Sequence, residues 1–224
     1  MDFENYREDL IDTAEQEVLE SVDNDDFITQ TINSLEDLEE QINQLTNRLR
    51  EWYGLKDFEA LRKYDSQKLA LKILQEDEFF EKHHTEAIQA LAANLHGLVK
   101  TKEFLQMYLE KVMQDHCKNL AELAGVKLGA KLLREAGGLE EMAKMPAGTI
   151  QVLGAESALF KHLSSGAPSP KHGMIINHPL VGGRKNKGKA ARKLSQKLSH
   201  CARLDFFDGP FKAPQYAEEL EGSL

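Results

Sequence analysis

The chain has 224 residues, 29% charged and only 7% aromatic, with six Pro and fifteen Gly; that is room for one or two domains with a real core, and it favours long helices over a sheet-rich fold. No apolar run approaches the ~20 residues of a membrane span, and the acidic start MDFENYREDL is unlike a basic secretory or transit leader, so an intracellular protein is expected. The net charge of −9 hides a split: residues 1–40 hold fifteen Asp or Glu and one cation, Arg7, whereas residues 161–204 hold ten Lys or Arg and no carboxylate. A field is set by local charge, so the second stretch can attract a polyanion within an acidic chain.

Residues 1–25 read as an acidic segment. A heptad seam then runs through Ile28, Thr31, Leu35, Leu38, Ile42, Leu45, Leu49 and Trp52; at 1.5 Å per residue this is a helix of about 38 Å, with Gly54 as its stop. A looser segment, YGLKDFEALRKYDSQK, separates it from a second heptad run starting near His84: Ile88, Leu91, Leu95, Leu98, Leu105, Leu109 and Val112, with Lys102 as a polar intrusion. Two such helices joined by a connector are expected to pack antiparallel as a hairpin over 26–116, the intervening residues offering little else to cover the seams.

After Cys117 the stretch LAELAGVKLGAKLLREAGG predicts a tightly packed helix ending at Gly137-Gly138. Gly154 separates two short helices in MPAGTIQVLGAESALFKHLSSG, the second directing its free N–H groups toward Gly154. The prolines and glycines of APSPKHGMIINHPLVGG predict a loop with a short extended piece. A last helix is expected from Lys187 to Phe207, with an apolar stripe of Ala191, Leu194, Leu198 and Cys201 and a basic face of Lys189, Arg192, Lys193 and Lys197. Residues 209–224 read as a frayed, flexible tail. The expected fold is all-α, a long coiled-coil hairpin plus a compact helical domain over 117–208 with one irregular loop element.

Gly183, Gly188 and Lys189 match the phosphate-loop pattern G-x-x-x-x-G-K. Ala190 stands where that loop needs a hydroxyl for magnesium, and no strand–helix alternation surrounds it. A polyanion reading needs less: cations on one helix face, preceded by glycines, can follow a phosphate backbone, and His178 in the turn before them is placed to stack on or donate to an unpaired base. Cys117 and Cys201 read as free buried thiols. The other histidines, His83-His84 and His116, lack a third metal ligand at a usable spacing, and no nucleophile with a base is in view. Neither an enzyme, nor a cofactor, nor a metal is expected.

GVKLGAKLLREAGGLEEMAKMPAGTIQVLGAESALFKHLSSGAPSPKHGMIINHP resembles a Nop domain. GAE-x-ALF at 154–160, PKHG at 170–173, His178-Pro179, GKAAR at 188–192 and ARLDFF at 202–207 fall in family order. INSLEDLEEQINQLTNRLREWYGL resembles the family's coiled coil, so the resemblance covers residues 25–208. It implies an RNA-binding scaffold of box C/D ribonucleoproteins that recognises a kink-turn RNA together with a small ribosomal-type kink-turn-binding protein, and that pairs through its coiled coil with another copy or a relative. Guide-directed 2′-O-methylation is the activity of such assemblies, and the implied location is cytoplasmic for an archaeal chain, nuclear or nucleolar for a eukaryotic one. The segment matching the family's fibrillarin-recruiting N-terminal domain is not in this sequence, so the expectation is either a fragment or a short form that binds RNA without recruiting fibrillarin directly.

By the same resemblance, RNA-facing positions fall on Gly154, Ala155, Glu156 and Ser157, on Lys171 and His172, on Asn177 and His178, and on Lys189 and Arg192. Lys161, Arg184, Lys187 and Lys193 join them as cations of the acid-free stretch. Ser157 stands where the family's GAEK has Lys, and Asn177 where Gln is common. The alternative is a coiled-coil interaction adaptor that binds no RNA, its basic face meeting an acidic protein.

Overall fold

The structure, a computed structural model, describes residues 3–56, 64–76 and 80–223. Among them there is no strand: the elements are α-helices and one 3-10 turn, so the all-α expectation holds. Contacts divide the chain into two compact units, residues 31–111 and residues 1–30 with 112–224.

In the 31–111 unit, α2 (Asn24–Gly54) and α4 (Lys82–His116) are the two heptad helices. Glu39 on α2 pairs with Lys102 on α4 at 3.1 Å, so the polar intrusion has a carboxylate partner. At the other end, the Tyr53 hydroxyl donates to Glu76 (3.1 Å) and the Gln89 amide to the Glu76 carbonyl (2.8 Å). Advancing from 39 to 53 along α2 therefore retreats from 102 to 89 along α4, which is an antiparallel pairing. Between them α3 (Ser66–Gln75) starts at an Asp65 cap and buries Leu69, Ala70 and Ile73 in one core with Ile42, Leu49, Tyr53, Ile88, Ala92 and Leu95. The connector thus supplies cover that the sequence reading did not assign to it; residues 57–63 of that looser segment lie outside the described residues. Trp52, a seam position by spacing, is 42% exposed, while Tyr53 is buried.

In the other unit, α1 (Phe3–Ser21) occupies the acidic segment. The helix expected through 120–136 is broken at Gly125, whose φ of +79° no side-chain-bearing residue adopts readily, into α5 (Lys118–Ala124) and α6 (Val126–Ala136). There follow α7 (Leu139–Lys144), α8 (Ala147–Val152), α9 (Glu156–Ser165), the 3-10 turn Met174–Asn177 and the one-turn α10 (Pro179–Gly182). The loop thus holds helical turns rather than an extended piece. α11 (Lys187–Phe206) is the hub, contacting α5, α7, α8, α10 and α12. Its buried face alternates Leu194 and Leu198 with Ala190, Ala191, Ser195, Ser199, Cys201 and Ala202, small residues that let neighbouring helices approach closely.

Residues 213–223, expected as a frayed tail, form α12 (Ala213–Ser223), with Ala213 and Leu220 buried. Two polar residues explain the difference. Asp205 accepts from the N–H groups of Asn119 and Leu120, capping α5. The fully buried Asn119 in turn accepts from the N–H groups of Lys212 and Ala213 (2.7 and 3.2 Å) and starts α12. A second such node is Asp25, which accepts from the Leu139 N–H (2.7 Å) at the start of α7 and pairs with His116 at 2.9 Å. Burial raises the Asp25 carboxyl, but hydrogen bonds from His116 and Leu139 and the His116 charge outweigh it, and the net direction is down. His116 is raised, first by its bond to Asp25, against burial.

Candidate nucleic-acid interface

The glycine–proline loop is fastened to the end of α8. The N–H groups of Gly173 and Met174 donate to the carbonyls of Gln151 and Leu153 (2.7 and 2.8 Å), two acceptors in the last turn and C-cap of that helix. The approach is so close that a Cβ on Gly173 would lie 1.9 Å from the Leu153 oxygen, so the glycine of PKHG is a packing requirement. From that anchor Lys171 is aimed at α11: its carbonyl accepts from the Gln151 amide (2.7 Å), and its side chain runs past Gly188, whose Cβ would lie 3.6 Å from it.

Lys171, Lys189 and Arg192 thereby line one open cleft of about 530 Å³, together with Gln151, Gly188, Ser195, Gln196 and the start of α8. No carboxylate lines it, and among the described residues none of the three cations makes an ion pair. Residues far apart in sequence, two on α11 and one in the loop, converge with their charge uncompensated. An anion entering here meets three cations and the amide-bearing side chains of two glutamines, a set suited to phosphate oxygens.

The phosphate-loop resemblance does not survive the geometry. The Lys189 N–H, which such a loop aims at an anion, donates instead to the Asn186 side chain (3.2 Å), the cap of α11. Arg184 and Lys187 are exposed on the turn before and at the start of α11 and do not line the cleft. Lys193, assigned to the basic face by helical spacing, is turned to α12, where its ammonium donates to the Ser223 carbonyl (2.8 Å). The structure therefore divides the α11 cation stripe into a free half and a committed half.

His178 is the largest correction to the sequence expectation. It is 9% exposed, its Nε2 lies 2.9 Å from the Leu123 carbonyl, and its Nδ1 accepts from the Leu180 N–H (3.2 Å). With Nε2–H donating and Nδ1 accepting, the neutral ring has no nitrogen left for a base. Burial lowers its pKa, only partly opposed by the Leu123 bond. The residue caps α10 and ties it to α5. Asn177 beside it is exposed, and His172 is half-buried.

Gly154, at φ +79°, has its N–H taken by the Glu156 carboxylate (2.6 Å), while the Ala155 cap of α9 makes no side-chain hydrogen bond to the helix start. Ala155 is half-buried, and Ser157 and Lys161 are exposed. None of α9 is buried, and Phe160 and Leu163 are 72% and 75% exposed. The α9 residues do not line the Lys171 cleft. Cys117 and Cys201 are buried free thiols, Cys201 pushed up to about 12 by burial. In the other unit, Glu81, His83 and His84 bring their donor atoms within 4.8 Å of one another, a grouping missed because adjacent residues on a helix ordinarily diverge. All three are exposed at the start of α4, whose positive end opposes a cation.

The described residues thus form an all-helical fold with a cation-lined open cleft, and no helix among them is long and apolar enough to cross a membrane. The chain matches the family model described as "Nop: snoRNA binding domain, fibrillarin" over residues 57–224. It is 39% identical to an uncharacterized NOP5 family protein of Methanocaldococcus jannaschii, over 88% of this chain and 55% of that one. It is 36% identical to nucleolar protein 56 of Dictyostelium discoideum, over 83% of this chain and 42% of that one. A solved structure of a fibrillarin/Nop5p complex superposes with a TM-score of 0.59 at 26% identity, covering 98% of this chain and 78% of that chain. The chain belongs to the Nop family. It spans about half the length of these curated relatives.

Proposed function

We propose that this chain is an RNA-binding scaffold of a box C/D-type ribonucleoprotein, with the Lys171–Lys189–Arg192 cleft taking consecutive backbone phosphates. The observation that carries the reading is three uncompensated cations, gathered from two segments into an acid-free cleft, in a chain whose net charge is −9. Phosphate contacts of this kind fix position and register, while sequence or shape is read elsewhere. Family membership supports a kink-turn RNA carrying its small binding protein as the composite target, in the service of guided 2′-O-methylation. Gly154 to Ser157, Lys161, His172 and Asn177 are the further residues proposed to face it. Pairing with another copy or a relative through the coiled coil is supported by Phe104 and Met107, which stand 68% and 70% exposed on α4.

A gel shift tests the assembly. Kink-turn RNA loaded with its binding protein is expected to supershift on adding this chain, and RNA alone to shift weakly. No supershift rejects the composite target and favours the adaptor reading.

A further inference from the structure

α12 carries Glu218, Glu219 and Glu221 and no cation, and it packs on α5 as well as on α11. It offers the second half of the α11 cation stripe three different substitutes for an anion. The Lys197 ammonium is paired with the Glu219 carboxylate. The same ammonium sits 4.4 Å from the centre of the Tyr216 ring, within range of a cation–π contact. Lys193 donates to the Ser223 carbonyl in the last turn of α12, where unpaired carbonyls and the helix dipole are negative.

Lys189, Lys193 and Lys197 recur every four residues along α11, a rise of about 6 Å per step, close to the spacing of successive phosphates on an extended strand. The first of these is free in the cleft, and the other two are held by α12. The two ends of α12 are held unequally. Its start is fixed by the buried Asn119 and Ala213. Its far end rests on buried Leu220 and on the contacts of Lys193 and Lys197, of which Glu219 is 45% exposed and hence solvent-screened.

We propose that α12 is an electrostatic strap that withholds Lys193 and Lys197 from a polyanion, and that lifting its C-terminal half extends the phosphate track along α11. The proposal rests on the RNA-binding reading, and the experiment separates the two. The log–log salt slope of binding is measured for single-stranded poly(U) and for loaded kink-turn RNA, with the parent chain, with Glu219→Gln plus Tyr216→Leu, and with Lys193→Ala plus Lys197→Ala in both backgrounds. Glu219→Gln alone, a half-exposed change, serves as the variant least able to disturb folding, and circular dichroism checks each protein.

Released cations are expected to steepen the slope by about 0.7 to 0.9 each, and the steepening disappears when both lysines are alanine. In the parent background, removing the lysines is expected to leave the slope unchanged. A folded release variant whose slope equals that of a salt-sensitive parent overturns the strap and leaves the RNA reading standing. A parent slope that already falls on removing the two lysines also overturns it, since they would then contact RNA with α12 in place. A parent that binds neither RNA overturns both.

Discussion

At the scale of single residues, the motif positions that look like readers are in several cases builders. His178 spends both ring nitrogens inside the protein, on the Leu123 carbonyl and the Leu180 N–H. His178→Ala is therefore expected to cost about 1–3 kcal/mol of stability through the unpaired buried groups it leaves, and to leave the salt slope of RNA binding as it was. Urea unfolding and a salt titration check the two halves. Because burial holds the folded pKa below the ordinary histidine value, the stabilisation from neutral His178 is complete above about pH 6.5 and is lost as pH falls through the folded pKa. The sequence showed that His178 was special, since a histidine before proline in a glycine-rich turn is an evident signal. It could not show which way the ring points, because a cap and a reader use the same residue type. Gly173 is similar: the motif was legible, but the close passage of the loop past the Leu153 carbonyl, which leaves no room for a Cβ, is a fact of tertiary packing.

At the scale of elements, periodicity carried most of the reading. α2, α4 and α11 lie where apolar spacing put them, and the stripe Ala191, Leu194, Leu198 and Cys201 is fully buried. What failed were short elements without a long apolar pattern of their own. α12 depends on Asn119, more than ninety residues away, and α3 is short, its buried Leu69, Ala70 and Ile73 matched to a groove between two other helices. Trp52 was assigned to the seam by strict heptad count, but α3 shifts the buried face toward Tyr53.

The Asp25–His116 node, joining the starts of α2 and α7 to the end of α4, yields a prediction at this scale. The raised histidine contributes stability fully below its unfolded pKa of about 6.5 and loses it as pH rises through the raised folded value. The lowered carboxylate contributes above about pH 3.9 and loses it as pH falls through its folded value. Both contributions are present between about pH 4 and 6.5. His116→Gln is expected to destabilise by about 1–2 kcal/mol in that window, with the deficit shrinking above the folded pKa of His116. Unfolding midpoints measured across pH 4–9 test it, and a deficit independent of pH means that the node acts by packing alone.

At the scale of the whole molecule, the acidic net charge is the property most easily misread. Fifteen carboxylates lie in the first forty residues, and the acid-free stretch 161–204 folds so that only some of its ten cations remain available. Lys171, Lys189 and Arg192 meet in a cleft, Arg184 and Lys187 stay on an exposed turn, and Lys193 and Lys197 are held by α12. Charge counting located the basic region correctly, but the division between free and committed cations depended on α12, the helix that the sequence did not reveal.

In the proposed reading the Lys171–Lys189–Arg192 cleft is the phosphate grip. The most direct measurement is the log–log salt slope for binding to kink-turn RNA already carrying its binding protein, compared between the parent chain and the Lys171→Ala, Lys189→Ala, Arg192→Ala triple variant. The folded triple variant is expected to show a slope shallower by about 2 to 3, from three contacts at 0.7 to 0.9 each. An unchanged slope with salt-dependent binding intact would contradict it.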